Sequence, residues 1–321
     1  YREEWKKSLS LDYVPKYPIQ IDFELNYSCN FTCPMCTWSA ESNAGKGKAT
    51  WLNFEIFKQI IDDGVQKGLK AIRLNFINEP LIRRDIIDFI KYAKSKGILD
   101  IYLSTNGSLL SNKMSEKIVN SGLTRLQVSL DAFTEETYNK IRTGGDYNKV
   151  VSNIMNFVEV RNRLKSELPT LRVNFVKTEV NINELDDFIN FWQDKADCIG
   201  IQDLVNIMNP ETELNNINSK QFNCSQPFNH MTVRYDGSIL PCCTFFGAKL
   251  PLGKIKTNLS ETLSKVKTLE NNENKKLETM TIEEAWKGKE IKKIREIHKN
   301  GKFFENEICK QCVLSTSHAD D

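Results

Sequence analysis

Between residues 19 and 206 six short apolar runs alternate with turns and helical patterns. The apolar runs are 19–25 (IQIDFEL), 71–76, 101–107, 125–131, 171–180 and 198–206. The helical patterns include 53–67, opened by Asn53, a segment over 78–97 closed by Gly97, and 112–122, closed by Gly122. Repeated strand–helix units predict a parallel sheet, because successive parallel strands need a crossover. Strands with few polar alternations fit a sheet covered by helices. Two α/β architectures satisfy this pattern, an open doubly wound sheet and a partial (β/α) barrel. Both place functional residues at the carboxyl ends of strands. No glycine-rich dinucleotide fingerprint follows the first strand; the loop there carries Cys29, Cys33 and Cys36.

Composition narrows the partners. Lys and Arg total 44 against 42 Asp and Glu, a net charge of +2 over 321 residues, which lacks the basic excess of a nucleic-acid binder. No apolar run has the length of a membrane span. The opening YREEWKKSLS has no apolar segment of a signal peptide, and the chain starts at Tyr1 rather than Met. Nine cysteines without an export signal predict a reducing, cytoplasmic setting, where patterned cysteines serve as metal ligands or catalytic groups.

The loop reads Cys29-Asn30-Phe31-Thr32-Cys33-Pro34-Met35-Cys36, spaced C-x3-C-x2-C. Thiolates are soft ligands suited to zinc or iron–sulfur clusters. Three close thiols suit a [4Fe–4S] cube with one iron left open. The alternative is a zinc knuckle completed by a distant Cys or His. Pro34 stiffens the loop by fixing φ.

On this motif the chain resembles the radical S-adenosylmethionine (SAM) superfamily, over roughly residues 19–206. The resemblance implies a partial (β/α)6 TIM-type barrel. It also implies SAM bound to the open iron through its amino and carboxylate groups, and cleavage of SAM to a 5′-deoxyadenosyl radical. Where the family usually has an aromatic residue between the last two cysteines, this chain has Met35. Asn75-Phe76-Ile77-Asn78-Glu79-Pro80 looks like the GGEP motif that holds the methionyl ammonium, with both glycines replaced. Glu79 can accept a charge-assisted hydrogen bond from an ammonium; a carboxylate favoured at a helix N-terminus is the other reading. The resemblance further places Ser104, Thr105, Asn106, Ser129 and Asp131 at the SAM site. It puts Arg142 of KIRTGG on the SAM carboxylate, against a plain solvated charge.

From about residue 210 the alternation stops. Residues 231–243 predict a hairpin turning at Asp236-Gly237, 256–280 a solvated insertion, and 281–301 one amphipathic helix. CKQC follows at Cys309 and Cys312. This half resembles the twitch domain, a shortened SPASM domain. The resemblance implies an auxiliary [4Fe–4S] cluster on Cys224, Cys242, Cys309 and Cys312; a four-Cys zinc site is the alternative. Cys243 competes with Cys242, since adjacent side chains point differently. The organisation is then an N-terminal extension (1–18), a barrel (19–209) and a small cysteine-rich α+β domain (210–321). Cys198 is expected as a small buried hydrophobe. His230, His298 and His318 form no constellation in sequence.

Four functions are weighed. A radical SAM oxidoreductase of dehydrogenase type would act on a sugar, aminocyclitol or similar metabolite, with the auxiliary cluster accepting an electron. It would need a flavodoxin- or ferredoxin-type electron donor, and no nucleic acid or membrane. A peptide or protein maturase is expected to carry a recognition domain that about twenty leading residues do not supply, and a redox-neutral epimerase or lyase is the further alternative. A non-catalytic metal scaffold would have no use for Glu79, Ser129 and Arg142.

Overall fold

The computed structural model describes residues 1–39, 50–205, 223–257 and 277–315. His318 and most of the predicted insertion fall outside them. A leading helix α1 (Arg2–Ser8) precedes six strands, β1 (Gln20–Phe23), β2 (Ala71–Arg73), β3 (Asp100–Thr105), β4 (Arg125–Ser129), β5 (Thr170–Lys177) and β6 (Cys198–Asp203). Their crossovers contain α2 (Phe54–Lys67), α3 (Ile86–Ser95), α4 (Asn112–Val119), α5 (Glu135–Ile141), α6 (Tyr147–Arg163) and α7 (Leu185–Trp192).

Strands β1 to β6 lie side by side in chain order, and every neighbouring pair is parallel. A doubly wound sheet reverses its order at a switch point. This sheet never does, so the helices stay on one side and the architecture is the partial barrel. The helix stops follow from the sequence: Asn53 caps α2 by accepting from the Glu55 amide at 2.7 Å, and Gly97 and Gly122 take φ 88° and 91° beyond α3 and α4. Phe57 of α2 and Phe89 of α3 are fully buried, their rings 4.8 Å apart. Strand β2 is shorter than the predicted 71–76, because the chain leaves the ladder after Leu74 to build the site described below.

The C-terminal half continues the same sheet. Helix α8 (Gln226–Asn229) leads into β7 (His230–Val233), which pairs parallel with β1, placing His230 beside Gln20 and Thr232 beside Asp22. Strand β8 (Ser238–Leu240) returns antiparallel through the Asp236-Gly237 turn, followed by β9 (Gly253–Ile255) and β10 (Thr279–Met280). The predicted insertion therefore ends in a strand rather than in solvated chain. The predicted helix 281–301 is two, α9 (Ile282–Lys287) and α10 (Lys289–Lys299), broken where Gly288 takes ψ 166°. Arg295 of α10 donates to Trp286 O and Pro227 O, both at 2.8 Å, and Trp286 donates to Pro15 O, so this half clasps the N-terminal segment. Helix α11 (Glu307–Ser315) closes the described chain. Cys198 corrects the sequence expectation: it is exposed, because it opens β6, the sheet's edge strand. Among the described residues no helix is long and apolar enough to cross a membrane.

Candidate active site

Leu25 ends the first apolar run, and the next residues leave the sheet as a loop tied down by side-chain amides. Asn26 is buried and donates to Ser28 O and Glu79 O, both at 3.2 Å, while its own oxygen accepts from Asn78 Nδ2 at 2.8 Å. Asn30 bridges to Ser108 and Asn106 at 2.9 and 3.0 Å. Arg83 Nη1 reaches Leu25 O and Leu52 O at 2.7 Å. Fixed at both ends, the loop brings Cys29, Cys33 and Cys36 to one wall of a cavity of about 320 Å³. Burial pushes the Cys29 thiol up to about 12, against the Phe31 amide that points at its sulfur at 3.4 Å. Burial also raises Cys33, opposed by Arg142. Cys33 is buried and Cys29 and Cys36 are half-buried, none with a disulfide partner. Cys29 and Cys33 are costly to ionise, and a soft metal replacing their protons removes that cost.

The rim of the same cavity carries most of the other predicted residues. Asn78, Glu79, Ser104, Thr105, Asn106, Ser129 and Arg142 all line it. Glu79 is 2% exposed, and burial raises its carboxyl. Its Oε1 accepts from Leu81 N at 3.0 Å and Thr105 Oγ1 at 2.6 Å, and Oε2 from Asn106 N at 2.7 Å. It thus caps the 3-10 turn Pro80–Ile82 and pins β3's end at once. A carboxylate has about four lone-pair sites, so Oε2 keeps room for a further donor such as an ammonium. Asn78 is spent on the loop, accepting from Phe76 N and donating to Asn26.

Arg142 is not a solvated charge. It follows α5 as its C-cap, its side chain is 14% exposed, and its Nη2 pairs with Asp131. Burial works against its charge, and Asp131 and Cys33 outweigh this to raise its pKa. Its Nε is buried without a hydrogen-bond partner. Asp131 lies behind Arg142 rather than on the cavity wall: it has no exposure, and its second oxygen accepts from Val176 N at 2.8 Å. An unpartnered donor beside three thiols suits a ligand carrying a carboxylate, and the donor set suits a cluster-bound amino acid.

Below this rim the lumen is polar. Arg73, Gln127, Asn174, Gln202 and Cys243 line it with Phe245. Asn174 donates to Gln202 Oε1 at 2.8 Å, yet its own Oδ1 is buried without a partner. Apart from Cys243, sequence reasoning passed over these residues. The signal was a polar side chain at an inward position in strands expected to be apolar, as with Gln127 two residues before Ser129. His230 also needed three dimensions: it brings a ligand atom within 4.8 Å of those of Asp22 and Cys243, a grouping of β1, β7 and the segment after β8.

The remaining cysteines separate. Cys224 senses Cys242, Cys312 and Cys309, and Cys309 and Cys312 each sense Cys242. Thr244 Oγ1 sits 3.5 Å from Cys242 Sγ and 3.7 Å from Cys312 Sγ. Burial pushes Cys309 and Cys312 up to about 12 and 11. Cys243 lines the lumen, groups with Asp22 and His230 and reaches Gln226 Oε1 at 3.6 Å, while still feeling Cys242 and Cys224. Adjacent cysteines therefore serve opposite sides, and Cys242 is the one that turns toward Cys224, Cys309 and Cys312. A wider groove of about 490 Å³ between the N-terminal segment and α10, lined by Leu11, Phe228 and Trp286, gathers no thiols.

The family model for the radical SAM superfamily matches residues 23–191, and that for an iron–sulfur cluster-binding domain, SPASM, matches 224–313. A probable GTP 3′,8-cyclase of Methanocaldococcus jannaschii is 34% identical over 167 residues, 52% of each chain. The matched region spans about half the length of such curated relatives. Among solved structures, BtrN in complex with AdoMet and 2-DOIA has a TM-score of 0.55 at 17% identity, covering 93% of this chain and 94% of BtrN. Streptococcus suis SuiB bound to S-adenosylmethionine has a TM-score of 0.60 at 15% identity, covering 97% and 75%.

Proposed function

The chain belongs to the radical SAM superfamily, and we propose that it draws a hydrogen atom from a hydroxyl- or amine-bearing small molecule held in the lumen beneath SAM. The family's cofactors are SAM and [4Fe–4S] clusters, with auxiliary clusters in the SPASM part. When bound, the first cluster supplies the electron that splits SAM into methionine and a 5′-deoxyadenosyl radical, and a fully ligated second cluster supplies a one-electron relay.

The protein's own part is to hold and orient. Cys29, Cys33 and Cys36 take the first cluster and leave one iron for SAM. The open lone pair on Glu79 Oε2 receives the methionyl ammonium. Arg142 Nε and Ser129 receive its carboxylate, and Asp131 fixes the guanidinium. Ser104, Thr105 and Asn106 form the wall beside it, while Asn78 anchors the loop. Cys224, Cys242, Cys309 and Cys312 take the auxiliary cluster. Beneath, Gln127, Asn174 and Gln202 present amides to a polar substrate, and the unpartnered Asn174 Oδ1 asks for a donor on it. A sugar or aminocyclitol has such donors.

The observation that carries the reading is that three thiols of one loop and the unpartnered Arg142 Nε belong to one cavity wall. The four-thiolate set supports an oxidation, in which the substrate gives up a hydrogen atom and one further electron. The Cys243 thiol in the lumen favours a second, redox-neutral reading. The relatives named GTP 3′,8-cyclase carry a radical rearrangement rather than a dehydrogenation, so they do not favour the oxidative outcome. Reconstituted protein, kept anaerobic with SAM and dithionite, is expected to release 5′-deoxyadenosine. Intact clusters without that product overturn the proposal.

A further inference from the structure

Two features of the lumen have no task in SAM binding. One is the thiol of Cys243, which lines the cavity while its neighbour Cys242 turns to the other cysteines. The other is a set of buried polar atoms around it that lack partners. His230 is 3% exposed, its Nδ1 contacts Asn229 Oδ1 at 2.8 Å, and its Nε2 has no partner. Asn174, 1% exposed and on the same cavity wall, leaves Oδ1 unpaired. The thiol, which reaches Gln226 Oε1 at 3.6 Å, and the Asn174 amide thus line space that a polar ligand would satisfy, with the His230 imidazole beside the thiol but off the cavity lining.

Depth matters as much as composition. Asp22 and Arg73 are register partners in β1 and β2, and Cys243 sits with Asp22 and His230. Inward positions recur every second residue. Asn75 is the next inward position on β2, and Glu79 lies beyond it on the rim. At about 3.3 Å per residue, the Cys243 layer is about 7 Å or more deeper than the rim groups offered to SAM. A substrate held by Gln127, Asn174 and Gln202 has the SAM site on one face and a thiol on the other.

We infer that Cys243 is a catalytic residue: its thiol returns a hydrogen atom to the substrate carbon from the face opposite SAM, so that the net reaction inverts a C–H centre in a polar metabolite. This rests on the second reading above. A substrate C–H bond breaks, and its hydrogen joins the 5′ carbon derived from SAM. The Cys243 S–H bond breaks, and its hydrogen forms the new C–H bond on the other face. An S–H bond is weaker than a C–H bond, so this transfer runs downhill. The sulfur keeps an unpaired electron. One electron from a ferredoxin- or flavodoxin-class donor and one proton from solvent restore the thiol. The substrate is neither oxidised nor reduced, while SAM and two reducing electrons are consumed per turnover.

Cluster-loaded protein is equilibrated in D2O, so that the thiol becomes S–D, and given SAM, dithionite and a panel of aminocyclitols and sugars in thiol-free buffer. 5′-Deoxyadenosine takes unlabelled hydrogen from a substrate carbon, and the epimer formed gains a single deuterium by mass spectrometry. Cys243→Ser keeps the size of the side chain but offers an O–H bond too strong to give up, so the mass shift is lost. Cys243→Ala loses it too, and Cys198→Ser, altered on the exposed edge strand, retains it. A second readout involves no turnover: iodoacetamide alkylates Cys243 in cluster-loaded protein, and SAM slows this. Deuterium that persists in Cys243→Ser, or its absence from wild type that does form 5′-deoxyadenosine, overturns the role of Cys243 and leaves the radical reading intact. So does a Cys243 inert to alkylation with and without SAM, as a cluster ligand would be. Absence of 5′-deoxyadenosine from wild type removes both.

Discussion

Nη2 of Arg142 pairs with Oδ2 of Asp131, a carboxylate with no exposure, while Nε of the same guanidinium has no partner in the protein. One end of the cation is balanced inside the wall, and the other is left for a ligand. Asp131 has φ 60°, in the left-handed region that Asn tolerates better than most residues. Asp131→Asn therefore keeps the backbone and removes only the charge. A buried guanidinium left uncompensated is expected to cost about 3–5 kcal/mol by urea unfolding. Adding Arg142→Met is expected to recover part of that loss. Additive effects of the two changes would show that the pair is not coupled.

Glu79 needs a gentler change than truncation, because it accepts three hydrogen bonds within the fold. Glu79→Gln keeps the shape and removes the charge offered to an ammonium. SAM affinity, measured by calorimetry on cluster-loaded protein, is expected to fall roughly 10- to 150-fold, the loss of about 1.5–3 kcal/mol. Iron content should not change. Unaltered affinity would remove Glu79 from the pocket's contacts.

The two cysteine sets are expected to hold about eight iron and eight sulfide together, two cubes of four. Replacing Cys29, Cys33 and Cys36 by Ala should leave about four of each, with the remaining iron on the C-terminal set. Stoichiometric zinc in anaerobically purified protein would instead favour structural tetrathiolate sites.

His298 gives a pH dependence separate from the metal sites. It is 2% exposed on α10, and burial lowers its pKa to about 4 from 6.5. The unfolded chain therefore takes up a proton near pH 6.5 that the folded chain refuses until about pH 4. Stability from the neutral imidazole is fully present above 6.5 and is lost as pH falls through that window, by up to about 3 kcal/mol. His298→Gln is expected to flatten the acid limb between pH 6.5 and 4. An unchanged limb would place the acid sensitivity elsewhere.

Much of this was legible in the chain because local rules and the fold agree. Asn53, Gly97 and Gly122 mark helix ends, and six strands joined by five helical crossovers leave few topologies open. The Cys29–Cys36 spacing constrains the chemistry before any contact is known. What stayed hidden depends on register. Whether Cys242 or Cys243 faces the other cysteines is decided by a one-residue alternation after β8, and that β7 joins β1 requires pairing over 200 residues of chain apart. The grouping of His230 with Asp22 and Cys243 follows only from that pairing. Cys198 was misjudged because an edge strand has one bare side, and nothing in CIGIQD says that no strand follows it in the sheet.

Gly247 tests the auxiliary set without touching a ligand. A Cβ at this position would lie 2.6 Å from Cys242 Sγ and 3.2 Å from Cys242 O. The second contact is with backbone, so the strain cannot be relieved by rotating one flexible side chain. Gly247→Ala should push the Cys242 sulfur away from Cys309 and Cys312 and loosen the four-thiolate geometry. The expected result is loss of about four of the eight iron, with the cluster of the 29–36 loop and its SAM affinity unchanged. Gly247→Ser should behave alike, since any Cβ meets the same atoms. Cys243→Ser, by contrast, should keep all the iron, because that thiol faces the lumen. If Gly247→Ala keeps its full iron and Cys243→Ser loses half, the assignment of the two adjacent cysteines is reversed, and the lumen thiol would have to be Cys242.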